Sequence, residues 1–246
     1  MQPSSNDALL RVSELSKRFD GLLAVDNLEF EVRPGEIFGL IGPNGAGKST
    51  TFNLISGFIP WTTGKVQVCG KEMRRGKPLV ASEAGLVRTF QHGSYVGGMS
   101  VRDNLRLGTI VRNKKADREA GVLEAARRLG LSDYLDETTS NLPHGLQRLV
   151  SMAIAIAAQP RLLCLDEPLT GLNETEVTTV LNVLDDYRKT EGRAILLVEH
   201  NMKAVMRICD RILVLHHGAH LATGSPEDIR GNKAVIEAYL GESHAA

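Results

Sequence analysis

The sequence predicts an α/β fold in three parts: a core with a mostly parallel sheet, an N-terminal antiparallel β-subdomain and an inserted helical subdomain. Three observations carry this expectation. Apolar strand runs at 162–165, 194–198 and 212–215 alternate with helical stretches at 174–189 and 201–208, and such alternation places parallel strands beneath covering helices. Short runs of alternating apolar residues open the chain at 10–12 and 28–32, the pattern of half-buried antiparallel strands. Between them in sequence, segments 101–110, 117–129 and 145–158 carry apolar residues at helical spacing, with little strand signal. The chain therefore reads as one domain over 1–246, with its core in 1–91 and 161–246 and a helical subdomain at 92–160.

Composition narrows the class. Among 246 residues, 29 Lys and Arg balance 29 Asp and Glu, so there is no electrostatic case for a nucleic-acid partner. A 42% hydrophobic and 24% charged composition excludes wholesale disorder. The most apolar stretch, 149–158, is broken by Ser151 and stops at Gln159-Pro160, short of the roughly 18 residues a membrane span needs. The opening MQPSSNDALLRVSEL has neither the basic start nor the apolar run of a signal peptide. Cys69, Cys164 and Cys209 form no paired spacing for a disulfide framework or a zinc site. A cytosolic, soluble chain is expected, one that meets any membrane through a partner.

The elements follow in order. After the two opening strands, residues 36–41 (EIFGLI) form a buried strand running into a glycine-rich loop. A helix starts at Lys48, with Phe52, Leu54, Ile55 and Phe58 apolar, and ends near Gly57 to Pro60. Strands follow at 65–69, turned by Gly70, and at 86–90, before the glycine-rich 92–98.

The loop is Gly42-Pro43-Asn44-Gly45-Ala46-Gly47-Lys48-Ser49, a complete G-x-x-x-x-G-K-S between strand and helix. Its glycines let successive amide N–H groups turn toward phosphate oxygens, and the helix that follows aims its positive end at the same anion. Lys48 is expected to reach the β- and γ-phosphates, and the Ser49 hydroxyl to ligate Mg²⁺. The apolar strand at 162–165 ends in Asp166 and Glu167. Beside such a loop, Asp166 belongs to the Mg²⁺ shell and Glu167 polarises a water for in-line attack. Gln91 and His200 each end a strand; alone they are ordinary surface residues, and beside a phosphate site they can sense the γ-phosphate or position water. The residues alone thus predict an Mg-dependent P-loop NTPase. Other features read as structural: Trp61 packs in a turn, Cys164 is a small core hydrophobe, and His216-His217 before Gly218 is a polar hairpin turn. Arg74-Arg75, Lys77 and Lys114-Lys115 are solvated charge clusters.

Six segments in order, GPNGAGKST at 42–50, RTFQ at 88–91, LPHGLQR at 142–148, LLCLDEP at 162–168, TGLN at 170–173 and VEH at 198–200, resemble the motifs of ABC-transporter ATP-binding subunits. LSKRFDGLLAVDNL at 15–28, GLVRTFQH at 85–92, TGLNETE at 170–176, EHNMKAVM at 199–206 and VIEAYLGE at 235–242 look like the subgroup that serves branched-chain amino acid importers. The resemblance covers about 10–242. It implies ATP and Mg²⁺ as ligands, with Phe19 stacking on adenine, Val25 in the same nucleotide-binding set, and Gly42, Asn44, Gly45, Ala46, Gly47, Lys48, Ser49 and Thr50 around the phosphates. Catalysis would rest on Glu167 as base, the switch residue His200, Gln91 and Lys48. The metal would be met by Ser49, Gln91 and Asp166. Leu142, Pro143, His144, Gly145 and Leu146 would form the signature that closes the nucleotide of a partner, and Gly171, Leu172 and Asn173 a loop crossing to it. The implied partners are two integral membrane permease subunits, a second, different ATP-binding subunit in a head-to-tail dimer and, indirectly, an extracytoplasmic binding protein. The implied place is the cytoplasmic side of the membrane, as a peripheral subunit.

The signature departs from the family's LSGGQ or LAYGQ. Pro143 brings neither hydroxyl nor N–H, Leu146 replaces a polar residue, and Ile154 stands where the family usually has Arg. An asymmetric pair is the expectation, with the site held by this chain active and the opposite one weakened. Other classes fit less well. A chromosome-type ATPase would need sustained heptads between Ser49 and Leu142, a translation-factor ATPase a second cassette, and a small-molecule kinase would leave His200 and the signature-like segment unexplained. The nearest alternative is the ATP-binding subunit of another ABC transporter, one that carries another amino acid, urea or an amide, or an exporter.

Overall fold

The computed structural model describes residues 8–89, 94–110 and 115–243, with side chains undescribed at 115–117 and 240–243. Gln91 and Phe90 therefore lie outside the described residues. The chain opens with a hairpin in which β1 (Leu10–Phe19) and β2 (Leu22–Val32) pair antiparallel. The turn is Asp20-Gly21, both with positive φ (36° and 106°), the geometry of a two-residue hairpin that matches strand twist. These strands are far longer than the sequence announces. Register shifts between Val12 and Leu15, Leu15 and Lys17, and Lys17 and Arg18 break the period-two pattern that would reveal them. After β3 (Ile37–Ile41) and α1 (Lys48–Ile55), β4 (Thr63–Val68) pairs with the other edge of β1 and β5 (Lys71–Glu72) with β4. The first sheet thus has the order β2-β1-β4-β5.

The second sheet is assembled from distant segments. A short helix, α2 (Pro78–Ala84), leads into β6 (Leu86–Arg88); the sequence reading missed this helix, whose proline stands at its first turn, where no N–H is needed. The chain then leaves the sheet for α3 (Val101–Gly108), α4 (Lys115–Arg128) and α5 (His144–Ala157), which pack on one another. It returns through β7 (Leu162–Asp166), α6 (Glu174–Arg188), β8 (Ala194–Val198), α7 (Met202–Ile208) and the hairpin β9 (Arg211–His216) and β10 (Ala219–Gly224). Two helices close the described chain, α8 (Pro226–Arg230) and α9 (Lys233–Ser243). The strand order is β10-β9-β3-β8-β7-β6, parallel except for the edge strand β10.

Every residue of β3, β7 and β8 is buried, because both faces of the sheet are covered. Phe38, Leu40, Cys164 and Leu196 face the antiparallel sheet, together with Leu15, Leu28 and Phe52. Ile37, Ile41, Leu163 and Ile195 face the helical side, with Val150, Leu184 and Val205. Each such side chain contributes about 1.5–3 kcal/mol on burial, which holds the strand ends, and whatever they carry, in fixed register. Asn104 in α3 is fully buried. Its amide donates to the carbonyls of Val96 and Ser100 and to Thr139 Oγ1, and its Oδ1 accepts from the Val96 N–H at 2.7 Å; it thereby fixes the path into the helical lobe. Among the described residues no helix is long and apolar enough to cross a membrane.

Candidate nucleotide site

The carboxyl ends of β3, β7 and β8 meet at one rim of the parallel sheet, where α/β sheets bind ligands. From β3 the chain turns at Gly42 (φ 151°), where the Leu215 carbonyl occupies the space a Cβ would need. At Gly47 (φ 97°) a Cβ would stand 2.7 Å from the Ala24 carbonyl, so β2 presses on the loop and only glycine fits. Gly47 then starts α1 with no side-chain cap and no acidic residue in the first turn, which leaves its orphan N–H groups and dipole to an anion. Lys48 is buried. Its ammonium donates to the Gly42 and Pro43 carbonyls at 2.7 Å each, so the cation is held in place within its own loop.

A cavity of about 480 Å³ opens over this loop, lined by Asn44 to Thr50 and, across from them, by Glu167 and His200. Glu167 follows the end of β7 in the left-handed region (φ 48°), a conformation that costs about 1–3 kcal/mol and that surrounding structure must enforce. Its N–H donates to the Val198 carbonyl at 2.9 Å, which pins it to β8. His200 Nε2 stands 2.8 Å from Glu167 Oε1. The structure thus brings Lys48, Ser49, Glu167 and His200 to one space.

Asp166 lies beneath it, outside the lining of that cavity, with Arg88 2.9 Å from its Oδ2. Burial pushes its pKa up, and the Arg88 charge and hydrogen bond oppose the rise. Oδ1 takes no part in the pair. Ser49 Oγ and the Asp166 carboxylate are hard oxygen donors of the kind Mg²⁺ accepts together with substrate phosphates and water. Among the described residues there is no group of three or more His, Cys, Asp or Glu that would form an all-protein cage. This sparse oxygen donor set fits a metal that arrives with a nucleotide.

The sequence reading missed three kinds of contributor: the acid Glu199, the β9–β10 turn and the start of β2 that border the cavity, and Arg88. Glu199 is buried, and its carboxylate accepts the N–H groups of Leu169 (2.8 Å), His200 (3.0 Å) and Asn201 (3.2 Å); burial raises its pKa and those three bonds oppose the rise. It ties the chain after Glu167 to the backbone that carries His200. An acid closing an apolar strand was the available signal. His217 and Gly218, read as a polar turn, line the nucleotide cavity, as do Leu22, Leu23 and Ala24. Arg88 is the third. Phe19 and Val25 are not among the lining residues: Val25 is fully buried, and Phe19 is exposed with Lys17 Nζ 4.5 Å above its ring.

The signature segment faces elsewhere. Leu142 is buried, whereas Pro143 and His144 are exposed. Pro143 is the N-cap of α5 and offers it no side-chain bond. A Cβ at Gly145 would collide with the Glu176 carboxylate. Behind Leu146, buried Gln147 donates to the Leu142 carbonyl at 2.8 Å and accepts from the Tyr95 hydroxyl at 2.5 Å. Gly171 (φ 79°) and Leu172 lead to Asn173, the N-cap of α6 in a reciprocal box with Glu176.

A glycine-rich phosphate loop opening a helix at the rim of a parallel sheet, with a strand-end acid pair beside it, defines a P-loop nucleotide-binding protein. The ABC transporter family profile matches residues 25–170, and that of branched-chain amino acid ATP-binding cassette transporters matches 219–245. The chain is 40% identical to the high-affinity branched-chain amino acid transport ATP-binding protein LivG of Salmonella typhimurium, over 96% of this chain and 98% of that one. It is 36% identical to BraF, the protein of the same description from Pseudomonas aeruginosa, with the same coverage. A crystal structure of an ABC-transporter ATP-binding cassette in its ADP conformation superposes with a TM-score of 0.87 at 26% identity, covering 95% of this chain and 99% of that one. The chain belongs to the ATP-binding cassette family of ABC transporters, within its LivG-type branched-chain amino acid group.

Proposed function

We propose that this chain hydrolyses Mg-ATP to energise the import of branched-chain amino acids through a membrane complex. The observation that carries the reading is the convergence of Lys48, Ser49, Glu167 and His200 on one cavity, in a member of the LivG-type group. An entering γ-phosphate exchanges places with the Gly42 and Pro43 carbonyls as the partner of the Lys48 ammonium, while the N–H groups opening α1 hold the phosphate chain. Glu167 accepts the proton of the attacking water, and His200, already 2.8 Å from it, orients that carboxylate and meets the γ-phosphate. Ser49 and Asp166, with Gln91, would hold Mg²⁺, which would supply charge neutralisation for the nucleotide's phosphates.

The working unit in this reading has two permease subunits, a second ATP-binding subunit packed head-to-tail, and a binding protein outside the membrane. Residues 142–146 of this chain close the partner's nucleotide. With no hydroxyl at Pro143 and no amide at Leu146, that closure rests on backbone N–H groups opening α5 and on His144, and the partner's site is the weaker of the two. The test is Glu167→Gln in the complex, purified through this chain from detergent-solubilised membranes of its host. Two polytopic proteins and one different ATP-binding subunit should accompany it. ATP binding should persist while turnover and leucine uptake into proteoliposomes are lost; normal turnover in the variant overturns the assignment of the base.

A further inference from the structure

We propose that Arg88 is the positioning residue of the metal site: it clamps α1, which carries Ser49, to the end of β7, which carries Asp166, and so sets the gap a divalent cation must bridge. The inference rests on the reading that Ser49 and Asp166 meet Mg²⁺. Arg88 ends β6, beside β7 in register with Cys164. Its guanidinium reaches in two directions. One terminal nitrogen donates to Asn53 Oδ1 at 2.5 Å and to Ser56 Oγ at 3.2 Å, at the far end of α1. The other donates to Asp166 Oδ2 at 2.9 Å. Only 9% of the Arg88 side chain and 7% of the Asp166 side chain are exposed, so solvent screens this pair little.

Aromatic rings fix the plane of the fork. The guanidinium carbon lies 4.7 Å from the Phe52 ring centroid and 5.5 Å from that of Phe58, within cation–π range. Phe52 and Asn53 lie on α1, Ser56 is its C-cap and Phe58 lies just beyond it, so the segment that opens with Lys48 and Ser49 supplies both rings and two polar anchors. Arg88 occupies Oδ2 of Asp166 and holds the carboxylate in one orientation, with Oδ1 outside the pair. The next residue adds a second tether: Thr89 Oγ1 accepts the Asp166 N–H at 3.3 Å, and the Thr89 N–H donates to the Cys164 carbonyl at 2.9 Å. A planar fork with separated donors can span α1 and β7 at once; a lysine, a point charge on a flexible stem, cannot.

Two variants of the full chain test this, Arg88→Lys and Asn53→Leu. The second leaves Asp166 and its ion pair in place and removes one of the two polar anchors on the α1 side, with Ser56 Oγ retained. ATP affinity is measured at equilibrium in EDTA and along a Mg²⁺ titration, and Mn²⁺ binding is followed by EPR with a non-hydrolysable ATP analogue. Arg88→Lys should raise the half-saturating metal concentration about tenfold, as loss of a residue that orients a metal ligand does, and Asn53→Leu should shift it less in the same direction. Affinity in EDTA should stay within about twofold of wild type, which also reports an intact fold. Unchanged metal dependence in both variants, or tighter metal binding in Arg88→Lys, overturns the role of Arg88. Wild-type ATP binding indifferent to Mg²⁺ and Mn²⁺ instead removes the assignment of Ser49 and Asp166, a separable failure.

Discussion

Two regions of this chain are assigned to ATP in the proposed function, and they are built differently. Around its own nucleotide cavity the groups that matter are side chains, each fixed by a second residue: Lys48 by two carbonyls, Glu167 by a backbone bond to Val198 and by His200, Asp166 by Arg88. At residues 142–146 the exposed positions are Pro143 and His144, and what holds the segment sits behind it, in Leu142, Gln147 and Tyr95. The first region can do proton transfer and metal binding. The second offers the N–H groups that open α5 and the exposed His144, with no carboxylate among residues 142–146. In LPHGL, Pro143 and His144 are exposed while Leu142 is buried and tied through Gln147 to Tyr95, so this segment is fixed from behind and carries no such network among the described residues on its exposed side.

The largest effect should come from disabling the two nucleotide sites of the pair one at a time. Glu167→Gln in this chain should abolish turnover by a factor of about 10³ or more, in the range expected for loss of a general base together with its positioned water. The equivalent glutamate-to-glutamine change in the partner should cost less than about tenfold, if this chain's signature serves that site as weakly as proposed. Steady-state phosphate release from the reconstituted complex decides it, and equal losses would erase the contrast. Pro143→Ser with Leu146→Gln should then raise the partner site's share of turnover.

How much of this was legible depended on whether a residue's role is local. The phosphate loop, Asp166-Glu167 and the strand ends could be read directly, because a glycine pattern before a helix and an apolar run before two acids are contiguous signals. Strands β3, β7 and β8 were visible because burial on both faces writes an unbroken apolar run. β1 and β2 were only partly visible, since bulges interrupt their alternation. Arg88 and Glu199 were missed because each has a deciding partner far away in sequence: Arg88 to Asp166 spans 78 positions, and Glu199, besides its neighbours His200 and Asn201, reaches Leu169 across 30. His217 does sit in the hairpin turn between β9 and β10, but a turn's polarity does not say which cavity it borders. The capping role of Asn173 was readable in principle, from Glu176 three residues on.

Glu199 offers a way to loosen the first region without touching its reacting groups. Its two oxygens accept three backbone N–H groups, and a glutamine can accept with only one oxygen. Glu199→Gln therefore leaves at least one buried N–H unpaired, at about 1–3 kcal/mol, or roughly 2–12 °C in Tm for a chain of this size. The sign of the pH dependence follows from burial, which raises the folded-state pKa above the ordinary carboxylate value. The unfolded chain loses its proton first, so the wild type loses stability as pH rises from that ordinary value through the raised one, and the glutamine variant lacks this dependence. The gap between the two proteins should narrow over that window in denaturant melts. A gap that widens with pH would show that the backbone bonds outweigh desolvation. Turnover should fall as well, because Leu169 and His200 lose their common tether.

The smallest effect should come from Tyr95→Phe, behind the signature. The hydroxyl donates to Gln147 Oε1 at 2.5 Å, and the Gln147 amide donates to the Leu142 carbonyl at 2.8 Å, so the bond orients a buried amide whose other end fixes the segment's first residue. Removing it costs about 1 kcal/mol, a Tm shift of about 2–4 °C. The functional readout lies on the partner's nucleotide. Measured in the complex, this chain's own site should keep its turnover, while the partner's site, closed by a segment now free to shift at Leu142, should lose a further part of its own. Loss at this chain's site with the partner's spared would place Tyr95 with the first region rather than the second.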